Sequence, residues 1–380
     1  MRGQLSREAA AGLETLIEEV GIFRRRNGLP DLGTRLFLLK LDTVNLCNLA
    51  CRHCGVHLIR DRAEPVTMSA ELLNHVADEV FPCCHEVCFG SMAEPWMSPV
   101  IEDALALGRA RQVPFLQVVT NASLLDERRA RVLIDRQVDL VSVSLDAATP
   151  ETYATIRGGD LGAVVKNVER LMALRERCGS ASPRLRLSFV MLRSNLHEMP
   201  AMVDLAHDLG AELLDFTMPF LDRRQALEHE LPSREPGLWE GMMEEARRRM
   251  KVQGLPTAHL PEVRGALAAR EPASSGGQPA PGPGPGGTPL CFAPWCYLCI
   301  GPSGDVHPCC SPYLLGGPPF GNVRESALGE ILDGPRYREL RRSLESGRLL
   351  GDCARCKATD FLSPCQLDEG YYLDPEGSTP

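Results

Sequence analysis

The sequence predicts an α/β fold, a partial (βα)6 parallel barrel followed by a small cysteine-rich domain. Three observations carry this. Strand-like and helix-like stretches alternate six times between residues 36 and 220, which implies parallel strands joined by crossover helices. Residues 271–289 are almost entirely Pro, Gly, Ala and Ser, a composition that cannot order itself and marks a linker. Cysteines then crowd the stretch from 291 to 356, far from an earlier trio at 47, 51 and 54.

Residues 6–26 read as an amphipathic helix with Leu13, Leu16, Ile17 and Val20 on one stripe. Strands are expected at 36–44, 86–89, 115–120, 139–145, 185–191 and 212–217. Between them, helices are expected at 69–80, 99–111, 125–136, 161–176 and 197–209. Ser98 before Pro99 reads as a helix start, with a capping hydroxyl and proline in the first turn. Gly210 reads as the left-handed residue that closes a helix. Residues 221–270 are helical and charged, most clearly at 240–250.

The chain has 380 residues, enough for one large domain and a smaller one. Its net charge is -9, with Lys and Arg dispersed among acids, so no nucleic-acid partner is expected. The basic runs Arg24-Arg25-Arg26 and Arg247-Arg248-Arg249 read as solvated helix faces. The first twenty residues hold acids and no unbroken apolar run, and no stretch is long enough to span a bilayer. The expectation is a cytoplasmic protein without a membrane partner. There, 15 cysteines point to metal or catalysis rather than to disulfides.

Directly after the first strand, Cys47, Cys51 and Cys54 stand at the spacing Cys-x3-Cys-x2-Cys. Three thiolates can hold three corners of a four-iron four-sulfur cluster and leave the fourth iron open to a small molecule. Zinc is the other reading. It needs four ligands, and the fourth would be His53, His57 or a remote group.

With Leu49 after Asn48 and the ring of His53 before the last cysteine, this loop resembles that of the radical S-adenosylmethionine (radical SAM) enzymes. The resemblance implies the same six-unit partial barrel. It also implies S-adenosylmethionine bound at the open iron and split by one electron to a 5'-deoxyadenosyl radical. A flavodoxin- or ferredoxin-type donor would supply that electron. Met92-Ala93-Glu94-Pro95 stands where the family usually has Gly-Gly-Glu-Pro, so Glu94 would meet the cofactor's amino group. Thr120-Asn121 is similar to the family's Thr-Asn-Gly turn, which brings in Asn121. Ser144 and Arg157 would face the cofactor's ribose or carboxylate. Asp146 shares a strand face with Ser142 and Ser144, and it either joins the cofactor site or caps the next segment. Asn195, past another strand end, is a cofactor contact or a turn residue.

In the second cysteine field, Ile300 and Val306 flank Pro302-Ser303-Gly304-Asp305, which reads as a hairpin able to bring Cys291 and Cys309 together. Cys353 and Cys356 add a compact pair. The block resembles the SPASM extension of some radical SAM enzymes, or its shorter twitch form. That likeness implies one auxiliary 4Fe-4S cluster at Cys291, Cys309, Cys353 and Cys356. Cys296, Cys299, Cys310 and Cys365 leave a second cluster open, and a structural zinc ribbon is the alternative. Cys310 is a candidate catalytic relay, while Cys83, Cys84 and Cys88 read as core thiols.

The expected domains are 1–35 (N-terminal helix), 36–220 (barrel), 221–270 (helical connector), 271–289 (linker), 290–366 (SPASM or twitch) and 367–380 (tail). The expected function is hydrogen-atom abstraction from a peptide or a small molecule, as a peptide maturase or a small-molecule oxidase or epimerase. The competing class is a non-catalytic metal protein, either an iron-sulfur electron carrier or a zinc-braced binding module. A carrier would need neither an open iron nor a barrel mouth lined with Glu94, Ser144, Asp146 and Arg157.

Overall fold

The computed structural model describes residues 34–35, 37–54, 64–219, 227–256, 291, 293–309, 317–346 and 353. The helix expected over 6–26, the linker at 271–289, and Cys310, Cys356 and Cys365 lie outside them.

The six expected strands form: β1 (Phe37–Leu41), β2 (Cys84–Phe89), β3 (Phe115–Thr120), β4 (Leu140–Ser144), β5 (Arg184–Val190) and β6 (Leu213–Thr217). All five neighbouring pairs are parallel, in the order β6-β5-β4-β3-β2-β1, and β6 does not pair with β1. The barrel is therefore open along one seam. The crossovers carry α1 (Ala70–Glu79), α2 (Ile101–Ala110), α3 (Glu127–Asp135), α4 (Pro150–Arg157), α5 (Leu161–Arg177) and α6 (Met199–Asp208). A further helix, α7 (Pro236–Gln253), packs against α6. Among the described residues no helix is long and apolar enough to cross a membrane.

Local chemistry explains most boundaries. Ser69, Asp126, Thr149 and Asp160 each accept a backbone N–H at the start of α1, α3, α4 and α5. Gly210 closes α6 with φ +67, as its place in the sequence suggests. Ser98 is not the expected helix cap. Helix α2 begins at Ile101 rather than at Ser98-Pro99, because Pro95–Met97 already form a 3-10 turn that ends on Ser98.

Side chains alternate across each strand. Leu39, Leu41, Val87, Phe89, Leu116, Val118, Val141, Val143, Leu187 and Phe189 join the helices in one apolar core. Phe115, Leu140 and Leu213 form a separate cluster, the floor of the barrel interior. The same inner face also carries a polar network. Gln117, with its amide turned to suit its neighbours, donates to Glu86 Oε1 (2.9 Å) and accepts from Arg186. Arg186 Nε donates to Ser142 Oγ (3.0 Å), and its Nη1 lies 3.6 Å from Asp215.

Burial pushes Glu86 up to about 7, against the pull of Lys40 and Arg186. Burial also raises Asp42 to about 7, against hydrogen bonds from the backbone of Met92 and Ser91 and the charge of Lys40. Each group keeps a proton in the folded chain that the unfolded chain releases near its ordinary carboxylate value. The resulting stability is complete below that value and is lost as pH rises through about 7. The metal-free protein is therefore expected to melt at progressively lower temperature from pH 5 to pH 8. Circular-dichroism melts of Glu86→Gln should show a smaller slope over the same range, and an unchanged slope would refute the assignment.

The second cysteine field begins with a short helix, α8 (Ala293–Cys296), that leads into β7 (Tyr297–Ile300). β7 pairs antiparallel with β8 (Asp305–His307), and Ile300 stands opposite Val306 as the hairpin predicts. Gly304, at φ +92, makes the turn. β8 then pairs with β9 (Gly321–Asn322). The hairpin is not detached. β7 lies parallel on the outer edge of β1, with Lys40 opposite Cys299, so one nine-stranded sheet runs from β6 to β9. Two further helices, α9 (Leu328–Leu332) and α10 (Pro335–Glu345), follow. Arg341 of α10 is buried; its guanidinium donates to Pro294 O and Leu332 O and lies over the rings of Trp295 and Tyr337.

Candidate active site

In parallel barrels the reactive face lies at the carboxyl ends of the strands. Here the loop after β1 carries Cys47, Cys51 and Cys54. Asn45 anchors its start: its N–H donates to Val66 O (3.1 Å) and its Oδ1 accepts from Val66 N (2.8 Å). The Arg52 N–H donates to Ile156 O at the end of α4 (2.8 Å), and the Cys54 N–H to Cys51 O (3.1 Å).

Glu94 follows β2 and is buried. Its Oε1 accepts from Thr120 Oγ1 (2.7 Å) and Trp96 N (3.3 Å), while Oε2 accepts from Asn121 N (2.9 Å). Its own N–H donates to Leu46 O in the cysteine loop (2.9 Å). Burial raises its pKa, and those three hydrogen bonds oppose the rise. Asp42, just past β1, supports the same turn by accepting from Met92 N (3.1 Å). The two glycines that the motif lacks leave no strain, because neither Met92 nor Ala93 adopts a positive φ. Gly90 does, at +85, and a Cβ there would lie 2.3 Å from Val119 O.

Asn121 joins the end of β3 to the cysteine loop. Its Nδ2 donates to Asn48 Oδ1 (3.0 Å) and Cys47 Sγ (3.8 Å), and Asn48 donates in turn to Ser123 Oγ (2.8 Å). Ser144, half-buried at the end of β4, stands opposite Ser188.

Asp146 ties the end of β4 to three other parts of the site. It is fully buried with φ +62, and its Oδ1 accepts from Val190 N (2.7 Å). Its Oδ2 pairs with Arg157 Nη1 and lies 3.5 Å from His53 Nε2. It caps no helix, since Thr149 caps α4. Burial works against the Arg157 charge, and the charges of Asp146, Cys51 and Tyr153, with the hydrogen bond to Asp146, together more than offset it, holding the guanidinium above its ordinary value. Asn195 spends both amide hydrogens on Asp146 O (2.8 Å) and Val190 O (2.9 Å), and its Oδ1 accepts from Leu192 N (2.7 Å). Those bonds fit its reading as a turn residue.

The donor set is three thiols on one short loop, the set that fits three corners of a cluster. Among the described residues no group of three or more His, Cys, Asp or Glu is gathered for a single metal. The charges of Cys47 and Cys54 both act on Cys51. Burial pushes Cys51 up to about 11 and raises Cys47, so these thiols ionise only with a positive partner. His53 Nδ1 and Arg157 Nε are buried beside them without a hydrogen-bond partner, which fits a polar ligand at the loop.

A Radical SAM superfamily model matches residues 41–206, and the model of the SPASM iron-sulfur cluster-binding domain matches residues 291–357. The chain belongs to the radical SAM superfamily. As a radical SAM enzyme with a SPASM domain, it uses S-adenosylmethionine, a 4Fe-4S cluster that binds it, and an auxiliary iron-sulfur cluster. It is 27% identical over 363 residues to the PqqA peptide cyclase of Granulibacter bethesdensis, covering 89% of each chain. Streptococcus suis SuiB bound to S-adenosylmethionine superposes with a TM-score of 0.62 at 15% identity, covering 85% of this chain and 71% of that one. For anSMEcpe with bound AdoMet the values are 0.59 and 18%, covering 84% of each chain. These two structures speak to the fold.

In the SPASM region Cys291, Cys309 and Cys353 are half-buried, while Cys296 and Cys299 are buried. Cys83, Cys84 and Cys88 are buried as expected of core thiols, and the first two donate to Glu79 O and Val80 O. Sequence reasoning missed Asp42, Thr120, Arg52 and Glu230. Thr120 had a signal, lying beside Asn121 at a strand end. The others had none, because only the fold brings their partners near.

Proposed function

We propose that this radical SAM enzyme modifies a peptide. The observation that carries the reading is the relation to the PqqA peptide cyclase, which runs through both the barrel and the SPASM domain. Cys47, Cys51 and Cys54 would hold the S-adenosylmethionine-binding cluster. Cys291, Cys309, Cys353 and Cys356 would hold the auxiliary one, and the SPASM match ends at 357, short of Cys365. When bound, these groups supply one-electron cleavage of a carbon–sulfur bond and, through it, hydrogen-atom abstraction from an unactivated carbon.

The chain's own residues bind and orient. Glu94 Oε2 accepts one N–H and keeps a lone pair for the cofactor's ammonium. Arg157, held by Asp146, would face the cofactor's carboxylate, and Ser144 its ribose. Asn121 would fix the loop at Cys47. The buried walls keep water away from the reactive centre. The electron would come from a flavodoxin- or ferredoxin-type donor. A net charge of -9 accords with a chain that takes no nucleic-acid partner.

The test is anaerobic reconstitution followed by S-adenosylmethionine, dithionite and small peptides encoded beside the gene. Release of 5'-deoxyadenosine with a peptide that has lost two hydrogens or gained deuterium from the solvent supports the reading. Turnover only with sugar alcohols would replace it with small-molecule oxidation, and bound zinc without turnover would favour a non-catalytic protein.

A further inference from the structure

The barrel seam between β6 and β1 is bridged at the mouth by a contact that no motif contains. Past β6, the 3-10 turn Glu228–Glu230 lies over the cysteine loop. Glu230 is only 2% exposed. Its Oε1 pairs with Arg52 Nη1 at 2.9 Å, and its Oε2 accepts from Ser194 N at 3.1 Å. Its carbonyl oxygen accepts from Arg193 N at 2.7 Å. Arg52 Nη2 also lies 3.2 Å from His229 Nε2. Arg52 sits between Cys51 and Cys54, so this buried carboxylate grips the short span that carries two of the three thiols and ties it to the loop after β5.

We infer that Glu230 is a positioning residue for the cluster loop, a clasp that acts through Arg52 and slows the loop's opening. The inference rests on the reading that Cys47, Cys51 and Cys54 hold a cluster. A three-thiolate cluster is lost when its loop opens, so an ion pair present only in the closed loop slows that loss. One charge-assisted hydrogen bond corresponds to about tenfold.

The test uses the full chain, reconstituted without air, unreduced and challenged with EDTA. Samples withdrawn over time are then reduced, and the cluster whose electron paramagnetic resonance signal responds to S-adenosylmethionine is followed. Arg52→Ala and Glu230→Ala should each lose that cluster about tenfold faster than wild type, and the double variant no faster than either alone. Arg52→Lys should recover most of the difference, and the auxiliary signal should decay at the wild-type rate. The Arg52 side chain is 38% exposed, so its variants carry the test even where Glu230→Ala fails to fold. Wild-type kinetics in Arg52→Ala, effects that multiply, or loss of both clusters together would overturn the clasp. A wild-type chain with no responsive cluster would overturn the underlying ligand assignment instead.

Discussion

Replacing Cys47, Cys51 and Cys54 together with alanine is expected to bring 5'-deoxyadenosine release down to the level seen without enzyme, while the auxiliary iron stays in place. The three thiols share one loop after β1, and burial raises both Cys47 and Cys51, which favours a positive partner for their thiolates. No other described cysteine lies in that loop to substitute for them. Iron and sulfide analysis, with liquid chromatography of the nucleoside, measures both halves of the outcome. Residual turnover in the triple variant would place the reactive cluster elsewhere.

The second large effect is expected at Asp146. Asparagine tolerates the left-handed backbone nearly as well as aspartate, so Asp146→Asn isolates the charge from the φ of +62. It leaves the buried Arg157 guanidinium without its carboxylate, a loss of about 3–5 kcal/mol. That corresponds to a melting temperature lower by roughly 5 °C in a chain of this size. S-adenosylmethionine binding, read by equilibrium dialysis, should fall with it. Replacing Arg157 with methionine in the same chain should restore much of the stability and none of the binding, because the unpaired charge goes while the cofactor contact stays lost. A melting temperature within a degree or two of wild type would show that Asp146 is not the hub its bonds describe.

How much of this was legible depends on how far apart in sequence the causes lie. The cysteine loop was readable because its chemistry is written in eight consecutive residues, Cys47 to Cys54. The six units were readable because an apolar run with β-branched residues, such as Leu116–Thr120, contrasts with the 3.6-residue period of a helix such as Leu161–Arg177. Glu94 was readable through a short motif even with Met92 and Ala93 in place of glycine, since the conformation it needs is supplied by Gly90. The start of α2 was misread because Ser98 and Pro99 look the same whether they open a helix or close the preceding turn. Asp146 was placed on the right face, but its partners Val190, Arg157 and His53 come from three other elements. Arg52 and Glu230 stand 178 positions apart, and a salt bridge of that span leaves no pattern in one sequence.

The union of β7 with β1 has a bearing on how the protein tolerates being divided. Removing everything from Cys291 onward would bare the hydrogen-bonding rim of an apolar strand, Phe37 to Leu41, now stitched to Tyr297–Ile300. Exposed rims of that kind recruit strands from other molecules. Shortened chains are thus expected to clump rather than to persist as autonomous barrels.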